Sequence, residues 1–413
     1  MQSLIDFLKT SYTAYHTVEN AKKLLSANGF TPLSEKDSWH VEKGGKYYVD
    51  RGGSSLIAFR VEDENAPFKI VASHGDSPAL KLKENAVVEK NGVQMLNTEP
   101  YGGGIWYTAF DRPLKIAGRV FVKTENGFEE KTTVSNFNVT IPSLAIHQHR
   151  EVNDGFKVDP QVDLLPLLSL QGGETYLSTL AGGEVLSHDL FLVNAENPYE
   201  FGLNGEFLAA PRIDNLTSVF ASLNALVANT ANGNCVAAIF DNEEVGSTTY
   251  QGANSDFLKN TLKRISLSLG KNEEEFFKAL ACSFLVSADN AHAKHPNHPE
   301  TSDPINETLL GGGVVIKHHA KKSYVTDGKS AAVFKTVLDR AGIKRQAFFN
   351  RSGAKSGGTL GTCSLAQFGV LAVDIGIAQL AMHSFVECIA KADYTAFENG
   401  LKAFYATDLS ALL

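Results

Sequence analysis

Five short segments of this 413-residue chain carry side chains that could do chemistry together: SHGDS with His74 and Asp76, PRIDN with Asp214, FDNEE with Asp241, Glu243 and Glu244, SADN with Asp289, and AMHS with His383. Three of them follow apolar runs that read as strands, FKIVAS, CVAAIF and FLVSA. In an open α/β sheet, ligands gather beyond the carboxyl ends of the strands, so segments far apart in sequence converge there. Imidazole and carboxylate groups suit zinc, and a hydrolytic site leaves a position for water. Two ions about 3.5–4 Å apart share that water. One carboxylate then bridges the pair and each ion takes two further protein ligands. Asp214 as the bridge, His74 with Asp289 on one ion, and Glu244 with His383 on the other satisfy that count. Asp76, two residues beyond His74, is placed to accept the second ring N–H and fix the tautomer. Glu243, next to Glu244, is the candidate general base on the bridging water. Each segment alone is weak, since a histidine after a strand is more often a hydrogen-bonded turn residue and adjacent glutamates are more often solvated. Their joint presence at compatible positions carries the reading.

The elements around them alternate. The first thirty residues read as a helix ending near Gly29, and KYYVDRGGSSLIAFRV as a hairpin turning at Gly52-Gly53. From Lys81 to Leu208 the texture is short β-like runs separated by glycine and asparagine turns, with some helix near Val162 to Leu168. After Pro211, LTSVFASLNALVAN, FLKNTLKRISLSL and SAAVFKTVLDRAG read as helices, and NCVAAIF, ALACSFLVSAD and FGVLAVDIGI as strands. The expected architecture is α/β, a mixed sheet flanked by helices and interrupted by a β-rich insert. The expected division is a catalytic domain in two parts, residues 1–80 and 209–413, with residues 81–208 inserted.

Other candidates point elsewhere. His292, His295 and His298 are spaced by three, but Pro296 and Pro299 forbid a regular helix, which leaves a polar loop. The glycine clusters at 102–104, 311–313 and 353–361 match neither a P-loop nor a dinucleotide fingerprint, and suit tight loops near a substrate. There is no GxSxG elbow for a serine nucleophile. Hydrophobic residues make up 43% and charged residues 20%, as expected of a globular protein, and the net charge of -8 gives no reason to expect nucleic acid or an anionic membrane as partner. Cys235, Cys282, Cys363 and Cys388 are scattered and read as reduced thiols. The N-terminus does not read as a signal peptide, and the apolar stretch Phe368 to Met382 is broken by Asp374 and Gln379, so a cytoplasmic location is expected.

SHGDSPALKLK, PRIDNLTSV, FDNEEVGS, SADNAHAKHPNH and AMHSFVE, in this order, closely resemble the M18 aspartyl aminopeptidases, a family that includes the vacuolar aminopeptidase I of yeast. Weaker likeness runs through YHTVENAKKLL, YGGGIWYTAFDRPL and IPSLAIHQHR. The resemblance implies that His74, Asp214, Glu244, Asp289 and His383 hold two zinc ions and that Glu243 is the catalytic base. Cobalt or manganese would suit the same ligands. It further implies that His292, Lys317 and Tyr324 contact substrate, and that His147 reaches a neighbouring subunit's site. The implied substrates are peptides with a free N-terminus, with Lys317 pairing with an acidic first side chain. The implied fold is the zinc-peptidase one, and the implied assembly is a dodecamer built from dimers that the inserted domain makes. The first motif reads HGDSP where HTDSP is common, which alters the backbone beside His74. A zinc deacylase, a neutral aminopeptidase and a non-catalytic binding or assembly protein on the same fold are the competing expectations.

Overall fold

A computed structural model describes residues 1–228, 233–354, 357–362 and 369–413. Asn229 at the end of the first helix reading after Pro211, Cys363, and Phe368 at the start of the FGVLAVDIGI reading lie outside the described residues. The frame is a nine-stranded mixed sheet in the order Thr31–Leu33, Lys46–Arg51, Ser55–Arg60, Asn234–Phe240, Phe68–His74, Phe284–Ala288, Leu371–Gly376, Val314–His318, Arg345–Phe349. Its centre is parallel: Phe68–His74 lies between Asn234–Phe240 and Phe284–Ala288, which in turn pairs with Leu371–Gly376. Every residue of Phe68–His74 and Asn234–Phe240 is buried, which is why these strands read as continuous apolar runs. Successive residues face opposite layers. Val71, Ala237 and Val286 pack under the helices Ala14–Ala27, Ile213–Ala228, Gly328–Arg340 and Lys391–Ala406. Ile70, Ala72, Val236 and Leu285 pack under Phe257–Ser268 and Glu273–Ala281.

Register sets the functional edge. His74 stands opposite Phe240, and Ser287 opposite Ala72, so the central strands end nearly level. The residues that follow them emerge on one rim.

A second, antiparallel sheet of six strands is built from Gly127–Val134, Leu114–Thr124, Val185–Asn194, Ala79–Lys90, Val93–Tyr101 and Leu167–Ser169. It has its own core, with Leu80, Leu96, Ile116, Val120, Leu190 and Leu192 fully buried. A third sheet joins Tyr199–Phe201 and Phe207–Ala210 to Glu387–Ala390, Ala378–Leu380 and Ala291–His292. The chain up to Leu208 is therefore not uniform: Phe207–Ala210 pairs with Glu387–Ala390 near the C-terminus, and Tyr199–Phe201 pairs with Phe207–Ala210.

The hairpin reading holds, with Lys46–Arg51 antiparallel to Ser55–Arg60 and both turn glycines at positive φ, 63° and 69°. Three readings differ in detail. The first helix is two, Gln2–Thr10 and Ala14–Ala27, broken where Thr13 takes an extended conformation. ALACSFLVSAD begins as helix, because a capping box at Asn272 and Glu275 starts Glu273–Ala281 and the alanines and leucine extend it. Helix near Val162 is a single turn, Pro160–Asp163, after which Leu167–Ser169 joins the six-stranded sheet. Among the described residues no helix is long and apolar enough to cross a membrane.

Candidate metal centre

The strand-end rim brings six of the expected residues together. His74 closes the strand Phe68–His74 and is 1% exposed. Its Nε2 lies 3.5 Å from Asp214 Oδ1 and 3.7 Å from Asp289 Oδ1. His383 Nε2 lies 3.6 Å from the other oxygen of Asp214, Oδ2, and 3.5 Å from Glu244 Oε2. Asp214 thus offers one oxygen to each histidine. Two donor sets share it, His74 with Asp289 and Glu244 with His383, and within each set the donor atoms all lie within 4.8 Å of one another. Glu243 falls within the same distance of His74 and Glu244.

These separations are long for hydrogen bonds. They approach the spacing of ligands around a common ion: bonds of about 2.1 Å put tetrahedral ligands roughly 3.4 Å apart. Asp214 Oδ1 and Glu244 Oε1 are buried without a hydrogen-bond partner among the described residues. Buried carboxylate oxygens left this way are costly unless a cation meets them. The charge balance points the same way. Burial alone would lower the His383 ring, but Asp214 and Glu244 reverse this and raise it to about 10. Burial pushes the Glu243 carboxyl up to about 7. So many carboxylates draw positive charge, which a divalent cation would supply.

The partners outside the cluster fix its orientation. His74 Nδ1 lies 3.1 Å from the Asp76 carbonyl and 3.4 Å from Asp76 Oδ1. The Asp76 carboxylate accepts from the backbone N–H of Glu243 and of Glu244, both at 3.2 Å, and from the Tyr101 hydroxyl at 2.7 Å. Burial and the Asp76 charge hold the Tyr101 phenol well above its ordinary value, so it donates. Glu243–Val245 forms a single 3-10 turn entered through Asn242 at φ 63°. Glu387 clamps two other segments, accepting the backbone N–H of Asp214 at 2.9 Å and of His383 at 2.7 Å. Asn215 donates to the Ala288 carbonyl at 2.7 Å and Asn290 to the Ile213 carbonyl at 3.2 Å, which ties the Asp214 and Asp289 segments together.

The remaining expected residues sit differently. Lys317 is 2% exposed and its ammonium donates to Asp289 Oδ2 at 3.3 Å and to the Asn290 carbonyl at 3.0 Å, 5.1 Å from the centre of the Tyr324 ring. Burial would lower Lys317, but the surrounding charges, Asp289 first and then Tyr324, Asp374 and Asp214, together outweigh it and raise the ammonium above its ordinary value. His292 is exposed on the short strand Ala291–His292, near the Phe348 ring. His147 lies in an exposed turn, and among the described residues no hydrogen bond or ion pair joins it to the cluster. His295, half-buried, and His298, exposed, sit in the loop that the prolines predict.

The sequence assigns no role to Tyr101 or Glu387, and it reads Gly102–Gly104 only as a tight loop near a substrate. Two signals were present, the Gly102–Gly104 run and the end of AMHSFVE, but neither has a spacing rule that names a partner.

The family model for aminopeptidase I zinc metalloproteases (M18) matches residues 7–405. The chain belongs to the M18 aminopeptidase family. It is accordingly an aminopeptidase, a hydrolase of peptide bonds, in a zinc metalloprotease family. The probable M18 family aminopeptidase 2 of Clostridium acetobutylicum is 41% identical over 423 residues, covering 98% of each chain. The protein of the same description from Pseudomonas aeruginosa is 37% identical over 423 residues, again covering 98% of each. Among solved structures, Ape4 in its complex with Nbr1 superposes with a TM-score of 0.94 at 33% identity, over 98% of this M18 chain and 85% of that one. The S. cerevisiae mApe1 dodecamer gives 0.83 at 27% identity, over 98% and 95%.

Proposed function

We propose that this M18 chain removes N-terminal residues with two zinc ions, one held by His74, Asp214 and Asp289 and the other by Asp214, Glu244 and His383. The single observation behind this is the shared Asp214, with one oxygen facing each histidine. Zinc bound there would polarise the scissile carbonyl and lower the pKa of a water shared between the ions. Glu243, close to both donor sets but not needed by either, would serve as the general base, taking a proton from the attacking water and returning it to the leaving amine. Asp76 holds the His74 ring and the Glu243–Glu244 turn in one arrangement. Cobalt or manganese would be accepted by the same ligands.

Preference for an acidic first residue rests on Lys317, which has three donors and gives two of them to Asp289 and the Asn290 carbonyl. Its burial favours a second reading, an aminopeptidase without acidic preference in which Lys317 only steadies Asp289. Assembly as a dodecamer is proposed from the mApe1 likeness. The six-stranded sheet, which spans residues 79–194, would be the contact unit and His147 would reach a neighbouring site.

The test is turnover of Asp-, Glu-, Leu- and N-acetyl-Asp anilides by the wild type and by Glu243→Gln, with zinc measured on the same samples. The proposal predicts two zinc per chain in both proteins, a need for the free amine, and a kcat about 10²–10⁴-fold lower for Glu243→Gln. Normal turnover by zinc-loaded Glu243→Gln refutes the base, and equal rates on Leu and Asp anilides select the second reading.

A further inference from the structure

We propose that the loop Tyr101–Gly103, carried by the six-stranded sheet, is a positioning element of the metal centre. The inference rests on the two-zinc reading above. Three contacts carry it, each to a different part of the centre. The Tyr101 hydroxyl donates to Asp76 Oδ2 at 2.7 Å and accepts from Asn242 Nδ2 at 3.0 Å. Asp76 faces the His74 ring and the backbone of Glu243 and Glu244, so Tyr101 acts on three residues of the centre through one carboxylate. The Gly103 carbonyl lies 2.9 Å from His383 Nδ1, where it accepts the ring proton and leaves Nε2 facing Asp214 and Glu244. Gly102 sits at φ +75°, and a Cβ there would come within 3.0 Å of Glu244 Cβ. The loop backbone is therefore pressed against one proposed ligand while it hydrogen-bonds another.

Contacts of this kind fix ring tautomer and ligand direction, and their loss weakens metal binding or activity about 10–100-fold. They also mean that the nine-stranded sheet does not complete the centre alone. The strand Val93–Tyr101 runs through the six-stranded sheet and delivers the loop to the strand-end rim, so a shift of one sheet against the other reaches His74, Glu244 and His383 together.

The measurements are zinc affinity by chelator competition, kcat and KM, and melting of the metal-free protein, for the wild type, Tyr101→Phe, Asp76→Asn and the double variant. The expected result is a 10–100-fold loss of zinc affinity or kcat in Tyr101→Phe, with KM and metal-free melting close to wild type. On the Asp76→Asn background, removing the hydroxyl adds nothing further, because its effect passes through that carboxylate. Gly102→Ala is expected to weaken one of the two zinc ions more than the other, and it keeps the proposal open to refutation should Tyr101→Phe fail to fold. Wild-type zinc affinity and kcat in Tyr101→Phe, fully additive effects in the double variant, or unaltered zinc binding in Gly102→Ala would each overturn the inference. A wild type that takes up no zinc overturns the two-zinc reading, and this inference with it. A zinc-loaded wild type matched by Tyr101→Phe overturns this inference alone.

Discussion

The nine-stranded and six-stranded sheets solve different problems with the same backbone. The central strands of the first are buried on both faces, and their polar side chains are held back to the strand ends. The strand Gly127–Val134 at the edge of the second has no fully buried residue, and Phe128 on it is 64% exposed. A sheet covered on both faces holds its rim rigidly enough to aim His74, Glu243, Glu244 and Asp289 at one volume, where Asp214 and His383 join them from segments that follow strands of the third sheet. A sheet with an open face keeps surface for other contacts. The loop at Tyr101 is where the second reaches into the work of the first.

Four substitutions break or sharpen that contrast. Asp214→Ala removes the one carboxylate common to both donor sets; we expect zinc and peptidase activity to fall to background, measured by metal analysis and anilide hydrolysis. Ile70→Ala, in the doubly covered strand, leaves a cavity where neighbours cannot collapse. It should cost about 2–5 kcal/mol in denaturant unfolding. Glu387→Gln weakens the clamp on the Asp214 and His383 backbones. Chelator competition should show zinc affinity lower by about 10–100-fold, with little change in unfolding. Phe128→Ala, on the open strand, should change unfolding of the isolated chain by no more than about 0.5 kcal/mol. A large destabilisation there would mean that the open face is already occupied in solution.

The α/β frame was legible because doubly buried strands have an unmistakable composition: FKIVAS and CVAAIF admit little else. His74, Glu243, Glu244 and Asp289 were legible for a related reason, since polar groups directly after such strands sit on the rim, whereas Asp214 and His383 follow strands of the third sheet and stood out by residue type alone. The partners that orient them were not legible. Glu387 and Tyr101 are single polar residues whose roles depend on backbone N–H groups and on a carboxylate distant in sequence. Lys317 shows the same limit from the other side. VVIKH gives no sign that its lysine meets Asp289, because that contact depends on Val314–His318 and Phe284–Ala288 being separated by the strand Leu371–Gly376 in the sheet. The break at Thr13 escaped because the residues on both sides keep a helical apolar pattern.

The central claim is that Asp214 lies between two cations. Anomalous diffraction at the zinc edge, on crystals of the zinc-loaded chain, tests it directly. The account predicts two peaks about 3.5–4 Å apart, one beside His74 and Asp289 and one beside Glu244 and His383, with Asp214 touching both. A single peak, or zinc bound away from Asp214, would contradict it.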